Sequence, residues 1–203
     1  MPRTEEQFEQ IRKKKKELIL QTALELFAEN GFHATSINQI AKKAGISKGL
    51  TYNYFESKNN ILEEIIDQGF HQIHDFFDPN KDGILTEDEL RFFIEKTFDL
   101  VGSNLRHWKL FFMLMLQPIV SENFMYRYVE ASEKMIAMMH DFLVKKGCKD
   151  PEGDMIIINS MLEGAFLYAI VAPEIFPVDK LKDKIAKGVF RIINSNNDKD
   201  SQP

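Results

Sequence analysis

Two very short helix signals with a glycine between them constrain this chain more than any other feature. Ser36 and Gln39 have capping-box spacing, and Ile37, Ile40, Ala41 and Ala44 share one face of the helix they open. Gly45 follows, at a turn where φ can be positive. Ser47 is the next N-cap and opens a helix that reads through Tyr54. Upstream, Ile19, Ala23, Leu26 and Phe27 form the apolar stripe of a helix from Phe8 to Asn30. Gly31 then serves as its left-handed C′ residue, followed by the apolar Phe32. Two short helices joined by a tight turn and braced by a longer one are the helix-turn-helix plan.

Helical period persists along the rest of the chain, and no period-2 run competes with it. Ser57 caps a fourth helix running to Phe77, and an acidic loop follows at 78–86. Further helices are predicted over 87–102, 105–119, 122–146, 152–171 and 178–194. The fold class is therefore all-α. A three-helix helix-turn-helix domain occupies 1–57, and a second, larger helical domain occupies 58–195. A polar tail, 196–203, has the composition of a disordered segment. Hydrophobic residues make up 44% of the 203, enough to bury a core, and 17 Phe and 9 Met make it aromatic and deformable.

Net charge is −5, which argues against generic nucleic-acid binding, but the charge is uneven. Residues 1–58 hold ten Lys/Arg against seven Asp/Glu, or +3; the remainder hold sixteen against twenty-four, or −8. A basic head on an acidic body suits a protein that offers one end to phosphates. The single cysteine, Cys148, rules out an internal disulfide and fits a reducing compartment. The N-terminus has no apolar signal segment, and the uninterrupted apolar runs, such as Leu110–Leu116 and Met155–Ile158, are far too short to span a bilayer. The expectation is a soluble cytoplasmic protein with no membrane partner.

The chemistry of the head follows from the helix that Ser47 opens. Gly49 lets backbone approach DNA closely, and Lys48 can reach guanine O6/N7 or a phosphate. Free N–H groups at the helix start can hold a phosphate. Tyr52, Asn53 and Tyr54 offer donors to phosphate oxygens, Lys58 adds a charge, and Thr35 and Ser36 place two hydroxyls at another helix start. Taken singly, tyrosines at helical spacing more often belong to a core, and a serine at a helix start is usually only a cap.

Together the string resembles the TetR family of repressors. The resemblance is carried by Ala23, Leu26, Phe27, Gly31, Phe32, Thr35, Ser36, Ile37, Ile40, Ala41, Ala44 and Gly45. It continues through Ile46-Ser47-Lys48-Gly49, Tyr52, Tyr54-Phe55, Ser57-Lys58 and Leu62. It covers about 50 residues, a far more specific match than an isolated short motif. It implies an all-helical homodimer on double-stranded operator DNA, with a C-terminal domain for a small apolar effector and the last two helices forming a four-helix dimer interface. One departure stands out. Thr51 occupies a place where the family usually has an apolar residue, and Leu50 sits where it often has a polar, DNA-facing one. Either Leu50 contacts a thymine methyl or the helix packs differently, so both join the DNA-facing candidates.

Asp78-Pro79-Asn80-Lys81-Asp82-Gly83-Ile84-Leu85-Thr86-Glu87-Asp88-Glu89 fits an EF-hand loop. Asp78, Asn80 and Asp82 fall at ligand positions 1, 3 and 5, Gly83 at the turn, and Ile84 would offer its carbonyl. Thr86 could hold a bridging water, and Glu89 would be the bidentate carboxylate. Ca2+ is thus a cofactor expectation, beside an unidentified small-molecule effector. The bland alternative is an acidic turn whose carboxylates complement a helix N-terminus. EF-hands normally pair, and no second such loop follows. A competing function is accordingly a calcium-binding sensor or interaction protein with a vestigial helix-turn-helix.

In the body, Trp108, Phe111, Phe112, Met115, Met135, Met139 and Phe166 are candidates for an apolar effector pocket, against the plainer reading of ordinary core. Gly164 with Ala165, and Ala186 with Gly188, would permit close helix approach at a dimer face. No catalytic constellation appears: the five histidines are scattered, and Cys148 has no partner base nearby in sequence. The expectation is a ligand-responsive DNA-binding repressor, not an enzyme.

Overall fold

The computed structural model describes residues 4–195, Phe124 excepted, and the tail reading at 196–203 lies outside them. Among the described residues every regular element is helical: α1 (Glu5–Asn30), α2 (Ile37–Lys43), α3 (Lys48–Tyr52), α4 (Lys58–His74), α5 (Glu87–Ser103), α6 (Leu105–Met115), α7 (Pro118–Asn123), α8 (Met125–Lys145), α9 (Pro151–Val171) and α10 (Val178–Ser195).

The capping chemistry sets most boundaries. Ser36 accepts from the Gln39 amide while Gln39 reaches back to the Ser36 N–H, a complete capping box. Ser47 accepts from the Leu50 amide, and Ser57 from the Asn60 amide. Gly31, Gly45 and Gly83 all have positive φ, at 85°, 68° and 77°. Helix α1 starts earlier than its apolar stripe suggests, because Thr4 and Gln7 form a further capping box. The predicted helix 105–119 ends at Met115 instead, and Pro118 opens a separate α7, as a residue lacking an N–H suits a first turn.

The chain forms two compact units, residues 4–69 with 110–127 and residues 70–109 with 128–195, instead of dividing at residue 57. In the first unit, Ile19, Ala23, Leu24 and Phe27 of α1 are buried with Ile40, Phe55, Ile61, Leu62 and Ile66. The segment 110–127 joins it through Gln117, whose Nε2 donates to the Phe27 carbonyl (2.6 Å) while its Oε1 accepts from the Phe32 amide (3.1 Å). Arg127 adds an ion pair to Asp67 at 2.8 Å. Gln117 thus gives the Phe32 amide its acceptor and adds a second donor to the Phe27 carbonyl, which also accepts from the Gly31 amide at 3.0 Å.

In the second unit α10 packs on α5 and α9. Its core holds Leu90, Ile94, Phe98, Phe166, Ala169, Val189 and Ile193, with the Phe98 and Phe166 rings 4.6 Å apart. Helix α9 is long and apolar enough to cross a membrane by length and composition, with 33% of that stretch buried. Its apolar residues are distributed around the whole helix: one face enters the core, while Ile156 (68% exposed), Ile157, Leu167, Tyr168 and Val171 (66%) lie outside it. Ala186 is buried and Gly188 abuts Met161 of the same chain, so these two small residues serve packing within the unit. Gly164 has open space beside it.

Candidate nucleic-acid interface

The surface that could meet DNA is built on α3, a helix of five residues. A helix this short is held by its neighbours. Thr51 is its anchor: the side chain is fully buried and donates to the Ser47 carbonyl at 3.3 Å. Thr51 therefore takes the core place, and its hydroxyl is satisfied on its own helix instead of reaching DNA. With the register fixed in this way, Lys48, Gly49 and Tyr52 are exposed and Leu50 is half-buried at the margin of the same surface. The Lys48 ammonium lies 5.9 Å from the Tyr52 ring centre. A Cβ built on Gly49 would meet nothing within 4 Å, so packing within the chain does not require glycine there. Asn53 is exposed and Tyr54 half-buried just beyond.

Three of the expected DNA contacts have other work. Thr35 is 2% exposed, and its hydroxyl lies 2.9 Å from the Gly31 carbonyl and 3.2 Å from that of Leu26. It is a brace for the turn after α1, as Thr51 is for α3. Lys58 donates to the carbonyls of Phe32 (2.7 Å) and Thr35 (2.8 Å) and sits 4.3 Å from the Phe32 ring centre. Burial lowers its pKa, yet the charge is held by carbonyl dipoles, so it ties the α1–α2 connection to α4 instead of standing ready for a phosphate. Ser36 stays exposed at the start of α2, with its hydroxyl committed to the capping box. What faces outward is therefore Ser36, Lys48, Gly49, Tyr52 and Asn53, flanked by Leu50 and Tyr54. Lys42, exposed near the end of α2, adds a cation that the sequence pattern did not single out.

The other two candidate groups are less gathered. The pocket candidates divide between the units: Phe111, Phe112 and Met115 fall in the first, Trp108, Met135, Met139 and Phe166 in the second. Trp108, Phe111, Met139 and Phe166 are buried, and the Trp108 indole donates to the Leu100 carbonyl at 3.2 Å. Around 78–89, Asp78 pairs with Lys134, whose hydrogen bond holds the carboxyl below its ordinary value. Asp82 accepts from the Ile84 amide at 2.8 Å, and Glu89 closes the capping box with Thr86. Among the described residues, no group of three or more His, Cys, Asp or Glu is arranged to hold a metal. One oxygen of Asp78, Oδ1, is buried without a hydrogen-bond partner.

A five-residue helix exposing a lysine, a glycine and a tyrosine, set after a glycine turn, has the arrangement of a helix-turn-helix regulator of transcription. The family model for "Bacterial regulatory proteins, tetR family" matches residues 19–65. A transcriptional regulator of the TerR/AcrR family from Aquifex aeolicus is 30% identical, with 88% of this chain and 99% of that one covered at a TM-score of 0.64. The chain belongs to the TetR family. The HTH-type regulator YuxN of Bacillus subtilis is 52% identical over 50 residues, 25% of this chain but only 17% of that relative's length. The biofilm operon icaADBC negative transcriptional regulator IcaR of Staphylococcus aureus is 24% identical over 185 residues, covering 88% of this chain and 97% of its own.

Proposed function

We propose that this protein is a ligand-responsive repressor that binds a palindromic operator as a homodimer. The observation that carries the DNA contact is the outward set on α3, Lys48, Gly49 and Tyr52, held by the buried Thr51. Lys48 has the reach for a guanine edge, Gly49 leaves room for the phosphodiester backbone, and Tyr52 and Asn53 can donate to phosphate oxygens. A homodimer is supported by the outer face of α9, where five large apolar residues lie exposed in one protomer. An isologous contact there would give the assembly two copies of α3, the number that a two-fold symmetric operator calls for. The effector would be a small apolar molecule, supported by the Met and aromatic content of α6, α8 and α9. Its occupancy would shift the equilibrium between spacings of the two α3 helices. Selection of bound duplexes from a random pool tests this reading: recovery of a two-fold symmetric site supports it, and an unenriched pool refutes it.

We also propose that the 78–89 loop takes up Ca2+. Its support is the twelve-residue ligand spacing and the buried, unpartnered Oδ1 of Asp78. Asp78, Asn80, Asp82, the Ile84 carbonyl and Glu89 would be the ligands, with Asp78 releasing Lys134 and Glu89 releasing Thr86. Calorimetry on metal-stripped protein is the test. Lys134→Ala should tighten binding, and an absence of heat at millimolar Ca2+ for both proteins would end the proposal.

A further inference from the structure

Helix α5 holds a buried polar side chain that the rest of the chain does not satisfy. Thr97 is 0% exposed, and its hydroxyl has no hydrogen-bond partner among the described residues. The other buried threonines show what such a side chain ordinarily does. Thr22 donates to the Leu18 carbonyl at 2.7 Å, Thr35 to that of Gly31 at 2.9 Å and Thr51 to that of Ser47 at 3.3 Å, each four residues back. Within a helix this bond is open to a threonine through one of its two favoured rotamers. Thr97 has the Phe93 carbonyl at the same spacing and does not use it. A hydroxyl buried without a partner destabilises the fold, and valine would occupy nearly the same volume without that cost. Packing alone therefore does not account for threonine here.

Helix geometry locates the hydroxyl. At about 100° per residue, Thr97 lies roughly 40° round α5 from Phe93 and roughly 100° from Phe98. Phe98 meets Phe166 of α9, and Arg91 lies over Phe190 of α10 at 4.3 Å, so that side of α5 is closed by α9 and α10. Phe93 instead meets Phe77 edge-on, with ring centres 5.0 Å apart. One turn further along, the Leu100 carbonyl takes the indole N–H of Trp108. Thr97 thus stands on an aromatic margin of α5 between Phe77 and Trp108, both buried and both in the second unit.

The chemistry of this margin restricts what can pair with the hydroxyl. Among the described residues the buried polar side chains are Thr22, Thr35, Thr51, Thr97 and Ser132, and none is charged. Trp108 commits its one donor to Leu100. A carboxylate or ammonium brought here would lose its water and gain no counter-charge, which burial penalises heavily. An uncharged oxygen meets no such penalty, and apolar carbon packs well on the rings.

We propose that Thr97 is the polar anchor of the effector site, donating a hydrogen bond to the uncharged oxygen of a ketone, ester or alcohol on an otherwise apolar molecule held between Phe77 and Trp108. The inference rests on the ligand-responsive reading and deepens it. It names the ligand class, a neutral amphiphile instead of a hydrocarbon or a carboxylate, and it places the ligand on the Phe93 side of α5, which leaves Phe166 outside the site.

The test titrates octanone and octanoate into the full-length protein and its Thr97→Val and Thr97→Ser variants at neutral pH, by calorimetry and by tryptophan emission. Trp108 is the single tryptophan of the chain, so its emission reports this margin alone. Octanone should saturate both signals, and octanoate should bind at least tenfold more weakly. Loss of one hydrogen bond in Thr97→Val should weaken octanone by about threefold to tenfold, and Thr97→Ser should retain its affinity. Without ligand, Thr97→Val should melt at the same temperature or higher, because the hydroxyl it removes has no partner. A melt several degrees lower would show that the hydroxyl is satisfied within the fold and overturn the proposal. Octanoate binding as tightly as octanone, equal octanone affinity in Thr97→Val, or no octanone binding at millimolar concentration would each overturn it too, leaving the DNA-binding reading intact. If octanone binds through Thr97 yet leaves affinity for a selected duplex unchanged, the anchor stands and the ligand-responsive reading fails.

Discussion

Gln117 carries the prediction with the most structural content. Its side chain spans 90 residues of sequence to satisfy one carbonyl and one amide at the end of α1, on Phe27 and Phe32, both buried residues. Gln117→Ala removes two hydrogen bonds, each worth about 1 kcal/mol net, and leaves the Phe32 amide to find water or remain unpaired at about 1–3 kcal/mol, while the Phe27 carbonyl keeps its bond from the Gly31 amide. Gln117 is itself only half-buried, so water reaches part of the site, and a loss of about 2–3 kcal/mol is expected. At roughly 2–4 °C per kcal/mol for a chain of this length, thermal melting followed by circular dichroism should show a fall of about 5–10 °C. Gln117→Glu sharpens the test. Its carboxylate would still accept from the Phe32 amide but would face the Phe27 carbonyl, which raises the glutamate pKa in the folded state. A raised folded pKa makes the contribution fully present below the unfolded value of about 4.3 and lost as pH rises through the folded one. The deficit of Gln117→Glu should therefore shrink on acidification, whereas that of Gln117→Ala stays constant. A fall of less than 1 °C for Gln117→Ala would refute the reasoning.

Two further outcomes separate folding from function. Gly49→Ala meets open space and replaces a helix glycine, so melting should be unchanged or raised by the equivalent of about 0.5–1 kcal/mol. Its DNA affinity, read by fluorescence anisotropy, should nonetheless fall, and undiminished affinity would show that backbone approach at Gly49 is not used. His74 and His107 are both pushed below their ordinary pKa by burial, His74 further by His71 and against a smaller opposing effect of Asp75. Depressed histidines bind fewer protons folded than unfolded, so their contribution is full above about pH 6.5 and lost as pH falls through that value. Melting temperature should decline from pH 7.5 to 5.5, and the double variant His74→Gln/His107→Gln should flatten that slope; identical slopes would exclude these two residues.

Local chemistry was legible wherever one residue decides the outcome a few positions away. Ser36 with Gln39, Ser47, and the glycines at 31 and 45 gave the helix starts and turns, because capping and positive φ depend on near neighbours. Residues with two possible roles were harder. Thr35, Thr51 and Lys58 have groups that suit DNA, yet the first two are buried and the third is spent on carbonyls. Their local patterns did not distinguish an outward hydroxyl or ammonium from one closing a turn. Gln117 gave no signal at all, since its partners lie 85 and 90 residues away. The split at Pro118 had a signal, and the helical period on both sides of it hid the break. In the body, apolar residues at helical spacing gave the helices, but the same spacing serves core and pocket alike, and the seven pocket candidates are divided between the two units.

The central claim is that α3 reads DNA with Lys48 at its exposed start. Its most direct measurement is a salt titration of the unaltered protein and Lys48→Ala on the selected duplex and on a scrambled duplex of equal length. The expected result is a steep salt slope for the unaltered protein, strong preference for the selected duplex, and loss of most of that preference in Lys48→Ala with melting unchanged. Equal affinity of the unaltered protein for both duplexes, or full preference retained by Lys48→Ala, would contradict it.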